Sequence, residues 1–184
     1  MVIFFDVDGT IIDGRDQVIP DSAIRAVEKL KENGHVAIVN TGRPYLQIDH
    51  RVMNMAFRGF ACACGMEVLL DGKFLTRAKP TLALRRRSVE CSRKYDMHSF
   101  YETPDGGILL DENSFHPIMS REVERLRRAG YPIHELAREG QLDFVKFVTY
   151  AGEHGDVAAF KAEMGRDYTV IDREGGMYEL VLKG

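Results

Sequence analysis

The chain has no apolar run approaching the roughly 18–20 residues that cross a bilayer, and Met1 leads at once into the apolar Val2–Phe5 without the basic region and cleavage site of a secretory signal. It reads as a cytoplasmic protein with no membrane partner. Cysteine is sparse: Cys62, Cys64 and Cys91 are odd in number and two of them nearly adjacent, which excludes a disulfide framework and points to reduced thiols. Cys62-x-Cys64 has no second cysteine pair or nearby histidine to complete four ligands, so buried apolar side chains are expected there and no zinc. Charge of one sign is also lacking. With 25 Lys and Arg against 28 Asp and Glu, the formal net charge of -3 gives no bias toward nucleic acid. The histidines are scattered singly, without the spacing of a metal pair or a nucleophilic triad. Arg85-Arg86-Arg87 with Arg93 and Lys94 lie on an amphipathic stretch containing Glu90, which suits a solvated helix face better than a nucleic-acid grip.

What remains is the composition of an ordinary globular protein, 45% hydrophobic and 29% charged over 184 residues, a length that suits one domain or two small ones. Val2–Phe5 is a short continuous apolar run, as in a strand buried on both faces of a parallel sheet. Asp21 or Ser22 caps a helix that Asn33-Gly34 ends, and Val36–Asn40 is the next strand. Strand, helix and strand in that order form a right-handed crossover, which brings Asp6–Thr10 and Thr41-Gly42-Arg43 to one carboxyl edge. A helix is expected over Tyr45–Met55, and then a strand over Phe60–Leu70 running into a hairpin at Asp71-Gly72. The first module ends near Ala78. Beyond it the pattern predicts helices over Thr81–Tyr95, Ser120–Ala129 and Asp156–Met164. Strands are predicted at His98–Glu102, Gly107–Leu110, Phe144–Thr149, Tyr168–Asp172 and Met177–Leu182, making an α+β second module.

Chemistry concentrates in Asp6-Val7-Asp8-Gly9-Thr10. Two carboxylates two residues apart can share a hard cation, and a Gly-Thr turn can offer main-chain N–H groups to a phosphate. An isolated Asp-x-Asp is more often a polar cap, but here it follows directly on an N-terminal strand. Thr41-Gly42-Arg43-Pro44 could likewise hold phosphate oxygens or simply start the next helix, and the two roles are compatible. The pairing of the two motifs about thirty residues apart, across one crossover unit, strengthens both.

Asp6–Thr10 resembles the first motif, and Val39–Pro44 the second, of the haloacid dehalogenase superfamily. Met177–Gly184 resembles the segment where its Cof-type, sugar-phosphatase-like branch returns from cap to core with Lys-Gly. The resemblance implies an α/β fold: a partial Rossmann-like core over residues 1–78, an inserted α+β cap over 79–182, and a return to the core at 183–184. It implies magnesium-dependent hydrolysis of small phosphorylated metabolites. Asp6 is then the nucleophile, forming an aspartyl phosphate, and Asp8 the general acid and base. The Asp6 carboxylate and the Asp8 main-chain carbonyl hold magnesium. Gly9, Thr10, Thr41, Gly42 and Arg43 bind substrate, and Lys183 neutralises charge at the centre.

The family's fourth motif, an acidic Gly-Asp-x-x-x-Asp segment, is expected downstream of Lys183, so the chain reads as part of a longer phosphatase. Cys64-Gly65 departs from the Asn-Gly usual at the third core strand. An unpaired apolar edge on Val2–Phe5 makes a homo-oligomer through that edge an expected assembly. Two other functions compete: a phosphomutase or dedicated glycosyl-phosphate phosphatase, and a catalytically silent binding module.

Overall fold

The computed structural model describes residues 1–13, 18–112, 114, 116–136 and 142–184. The chain divides into two compact units, Met1–Arg77 and Ala78–Gly184.

The first unit contains β1 (Val2–Phe5), α1 (Asp21–Glu32), β2 (Val36–Asn40), a 3-10 turn (Tyr45–Gln47), α2 (His50–Met53), β3 (Gly59–Cys62), β4 (Glu67–Leu70) and β5 (Lys73–Arg77). The five strands form one sheet in sequence order. The pairs β1–β2 and β2–β3 are parallel, and β3–β4 and β4–β5 antiparallel. Two crossovers of one hand that step in the same direction place their helices on the same face. Burial follows from this. Ala37, Val39 and Phe60 lie in one cluster with Val27 of α1 and Val52 of α2, whereas Val2 and Phe4, on the opposite face, are 56% and 60% exposed. The expectation that Val2–Phe5 is buried on both faces is therefore corrected: β1 is an outer strand covered on one side.

Three further local expectations are revised. Pro20 occupies the N-cap of α1 without a side-chain bond, and Asp21 stands in the first turn, where a carboxylate complements the helix dipole. The expected Tyr45–Met55 helix is broken in two, because Ile48 is extended and Asp49 accepts the Arg51 amide to start α2 afresh. The expected Phe60–Leu70 strand is two antiparallel strands separated by a tight turn at Ala63–Gly65. The hairpin at Asp71-Gly72 forms as expected, with φ of 49° and 75°, the positive pair that a type I′ turn requires.

In the second unit the order is α3 (Leu82–Lys94), β6 (Met97–Glu102), β7 (Ile108–Leu110), α4 (Pro117–Arg128), β8 (Ile133–Glu135), β9 (Lys146–Ala151), α5 (Val157–Met164), β10 (Tyr168–Asp172) and β11 (Met177–Leu182). Its sheet runs β10-β11-β9-β6-β7-β8. Thr81 caps α3 by accepting the Leu84 amide, and Asp156 caps α5 through Ala159. On one face Val89 and Cys91 of α3 and Phe160 and Met164 of α5 pack on Tyr101, Phe147 and Leu180. On the other, Met119, Val123 and Leu126 of α4 pack on Phe100, Val148 and Tyr150. Lys146 is buried in the sheet between Glu102 and Glu179, and Arg173 also holds Glu179. The α/β class expected from the sequence holds. Among the described residues no helix is long and apolar enough to cross a membrane.

The arginine-rich face of α3 is not merely solvated. Arg85 is ion-paired with Asp143, Arg87 with Asp167 and Arg93 with Asp111. Across the α3–α5 contact, Glu163 accepts the Tyr95 hydroxyl at 2.6 Å, the Cys91 thiol at 3.0 Å and the Lys94 ammonium at 2.9 Å. These donors, the Tyr95 hydroxyl foremost, hold the Glu163 carboxyl down to about 2 from its ordinary 4.5. Because the folded value is depressed, this stabilisation is present above the ordinary carboxylate value and disappears as pH falls through the folded one. Urea denaturation between about pH 5 and about pH 2 is expected to show stability falling with acid, and Glu163→Gln to remove part of that slope. An unaltered slope in the variant counts against the clasp.

Candidate active site

The register of β1 against β2 builds the site. Phe5 lies opposite Val39 in parallel pairing, so Asp6 and the Asn40–Thr41 step leave the sheet at the same edge, about 4.8 Å apart, the spacing of adjacent strands. The first loop folds back over Val7, which is fully buried. The Val7 carbonyl accepts the amides of Thr10, Ile11 and Ile12, and the Gly9 amide donates to the Ile12 carbonyl at 2.9 Å. Gly9 has φ of 79°, and a Cβ there would meet nothing within 4 Å, so backbone conformation alone favours glycine. Buried Ile11 and Ile12 anchor the far side of the turn. With Val7 turned inward, Asp6 and Asp8 on either side of it are exposed, as are Gly9 and Thr10.

The second loop is held more tightly. Thr41 is 5% exposed; its amide donates to Ala61, and its hydroxyl accepts the Arg43 amide at 3.2 Å. Thr41 is not a helix cap, since the N-cap of the following 3-10 turn is Pro44. The carbonyls of Thr41 and Arg43 accept the amides of Cys64 and Ala63. To present those amides, Ala63, Cys64 and Gly65 adopt φ of 50°, 55° and 92° in succession. Non-glycine residues in this region carry strain of about 1–2 kcal/mol each, which the two loop hydrogen bonds help to offset.

The two loops meet through Arg43. Its Nε donates to Asp8 Oδ2 at 2.9 Å and its Nη2 to Asp8 Oδ1 at 2.5 Å, a planar fork on both carboxylate oxygens. With the partners 22% and 51% exposed, the pair contributes about 0–1 kcal/mol to stability; its effect is to orient. Expected as a substrate ligand, Arg43 here contacts the first motif. The sequence carried a sign of this, opposite charges in two motifs sent to one sheet edge. A second feature had no such sign: Glu67, on β4, accepts the Tyr45 amide at 2.8 Å and so tethers the segment after Arg43.

Asp6, Asp8, Gly9 and Thr10 are thus brought beside Thr41, Gly42 and Arg43 within the first unit. Lys183 lies in the second unit, where its ammonium donates to the Gly165 carbonyl at 2.6 Å and its amide to Asp167. The donor set suits a hard cation. Arg43 takes both Asp8 carboxylate oxygens, and the loop then offers the Asp6 carboxylate and the Asp8 main-chain carbonyl. Among the described residues no group of three or more His, Cys, Asp or Glu side chains is gathered for a metal. Cys62 is a buried thiol, pushed up to about 12 by burial and then by Glu67, and a poor nucleophile or soft ligand as it stands.

Comparison with known proteins identifies the family. "Putative phosphatase YkrA" of Bacillus subtilis (strain 168) is 30% identical over 86 residues, which make up 46% of this chain and 33% of that protein. The chain therefore matches about a third of that relative's length. The phosphatase BT1666 from Bacteroides thetaiotaomicron superposes with a TM-score of 0.74 at 18% identity, over 100% of this chain and 67% of the other. The subclass IIB sugar phosphatase BT4131 gives a TM-score of 0.72 at 16% identity, over 100% and 70%. Both likenesses establish the shared fold. The family model described as haloacid dehalogenase-like hydrolase matches residues 3–184, a span that takes in both motif loops and both units, and the chain belongs to that family.

Proposed function

We propose that the chain hydrolyses small phosphate monoesters, sugar phosphates or similar metabolites, through an aspartyl phosphate on Asp6. The observation that carries this reading is the joining of the two loops: a nucleophile-type carboxylate at the end of β1 beside an Asp8 carboxylate held in the Arg43 fork. Two of the structures that the chain resembles, a phosphatase and a sugar phosphatase, point the same way.

In the first step an Asp6 carboxylate oxygen bonds to phosphorus while the bond from phosphorus to the ester oxygen breaks, and Asp8 gives its proton to the departing alcohol. In the second, water attacks the phosphoryl group, its proton passes to Asp8, and the Asp6–phosphorus bond breaks to release inorganic phosphate. Gly42 contributes a main-chain N–H toward the phosphoryl oxygens and Thr41 a hydroxyl, whereas the amides of Gly9 and Thr10, expected there as well, are taken by the Ile12 and Val7 carbonyls of their own loop. Magnesium, held by the Asp6 carboxylate and the Asp8 carbonyl, would offset the repulsion between an anionic nucleophile and an anionic substrate. Arg43 takes both Asp8 oxygens here, so one arm of the fork must yield its oxygen for Asp8 to give or take a proton, while the other arm keeps the carboxylate oriented.

Hydrolysis of an aryl phosphate and of a sugar-phosphate panel, with magnesium and with chelator, tests the reading. Turnover is expected with magnesium alone and is expected to vanish in Asp6→Asn; turnover unchanged in that variant overturns it. Asp8→Asn is expected to slow turnover by about 10²–10⁴-fold, the usual contribution of a general acid and base. Thr41→Ala is milder, about tenfold or less for one hydrogen bond of roughly 1 kcal/mol. Steady-state kcat and KM for each variant decide the assignment.

A further inference from the structure

We propose that Glu67 is a positioning residue of this site, its buried carboxylate fixing the Thr41–Gln47 segment so that the Arg43 guanidinium meets Asp8. The consequence for turnover rests on the phosphatase reading; the geometric claim does not.

Chain chemistry creates the need. The first amides of a helical turn have no acceptor within the turn and are ordinarily satisfied by an N-cap side chain. Here the N-cap is Pro44, which has no side-chain oxygen, and the turn Tyr45–Gln47 has no side-chain cap of its own. Glu67 supplies the oxygen from another strand: its Oε2 accepts the Tyr45 amide at 2.8 Å. The residue is 3% exposed. A carboxylate so buried is costly unless its oxygens are satisfied, and the second oxygen accepts Arg77 Nη2 at 3.2 Å and Nε at 3.4 Å.

The aromatic surroundings hold the same contact. The Arg77 guanidinium lies 4.4 Å from the centre of the Phe74 ring. Phe74 meets Tyr45 edge-on at 5.5 Å, and Tyr45 meets Phe60 at 5.7 Å. The β4–β5 hairpin therefore grips the segment by one charged hydrogen bond and one ring. Arg43 sits between two tethers, its own carbonyl bound by Ala63 and Tyr45 bound by Glu67. Its guanidinium also donates to the Gln47 carbonyl at 3.5 Å. A fork with bonds of 2.5 and 2.9 Å does not survive a displacement of about 1 Å in the loop that carries it.

The test uses the full chain, labelled with nitrogen-15, and follows the Arg43 Nε–H resonance, assigned by its disappearance in Arg43→Lys. Solvent exchange of this group and of the Tyr45 amide is expected to rise about threefold in Glu67→Gln, which keeps a weaker neutral acceptor. It is expected to rise tenfold or more in Glu67→Leu, which keeps none. Unchanged exchange in a folded Glu67→Leu overturns the proposal; should that variant not fold, unchanged exchange in Glu67→Gln does so. In the kinetic arm, Glu67→Leu is expected to lower kcat about tenfold with a smaller change in KM, and Glu67→Gln to recover most of it. A wild-type chain without Asp6-dependent turnover removes the phosphatase reading and leaves the exchange result to decide the role of Glu67.

Discussion

The parallel register of β1 on β2 is the constraint on which the rest of the first unit depends. Because Phe5 pairs with Val39, two loops separated by a helix in sequence become neighbours at one sheet edge. The turn of the first loop over the Val7 carbonyl then does the sorting. Val7, Ile11 and Ile12 turn into the core while Asp6 and Asp8 stay outside. A slip of one residue in β1 would turn Ile3 and Phe5 outward and Val2 and Phe4 inward, and would move Asp6 out of line with Asn40. The apolar anchors and the charged pair are two consequences of one alignment.

On that frame the polar contacts divide by burial. The Arg43–Asp8 fork is open to water on the Asp8 side, so it orients the group proposed to carry the proton without contributing much stability. Glu67 is the reverse case. Its carboxylate is out of water, and removing it would orphan both the Tyr45 amide and part of Arg77, at about 1–3 kcal/mol for a buried group left unsatisfied. The strained Ala63–Gly65 turn belongs with it, since its left-handed residues exist to aim two amides at the carbonyls of the same loop. Thr41–Gln47 is thus held from below by β3 and its turn and from the side by β4.

The features legible in the sequence were those written by local rules. Apolar runs marked β1 and β2, Asn33-Gly34 ended α1, and Asp71-Gly72 made its hairpin. Asp6–Thr10 and Thr41–Arg43 stood out by their pairing across one crossover unit and by their resemblance to two motifs of the family. What escaped depends on contacts distant in the chain or on competition between neighbours. The helical pattern of Tyr45–Met55 gave no sign that Asp49 would take over the Arg51 amide and restart the helix. Ala63 and Cys64 are not residues that announce positive φ. Glu67, read along the chain, is one acidic residue in a strand; only the fold shows that the amide it serves lies 22 positions earlier. Val2 and Phe4 look like core residues by composition, and their exposure follows from both crossovers stepping the same way.

The second unit shows why charge counted along a helix is a weak guide to binding. Arg85, Arg87 and Arg93 invite an anion-binding reading, yet each guanidinium faces an acid drawn from elsewhere in the unit: Asp143, Asp167 and Asp111. Lys94 is taken by Glu163. The field of the basic stretch is thereby cancelled at short range, within less than the roughly 8–10 Å over which salt screens exposed charges. A phosphate approaching this face would have to displace a carboxylate at each of these contacts. In the first unit the Arg43 fork faces the same competition, but its carboxylate is half-exposed and belongs to the group proposed to move a proton. The two arginine settings differ in what the partner acid can do once it is paired, and that difference favours the first unit as the place for phosphoryl chemistry.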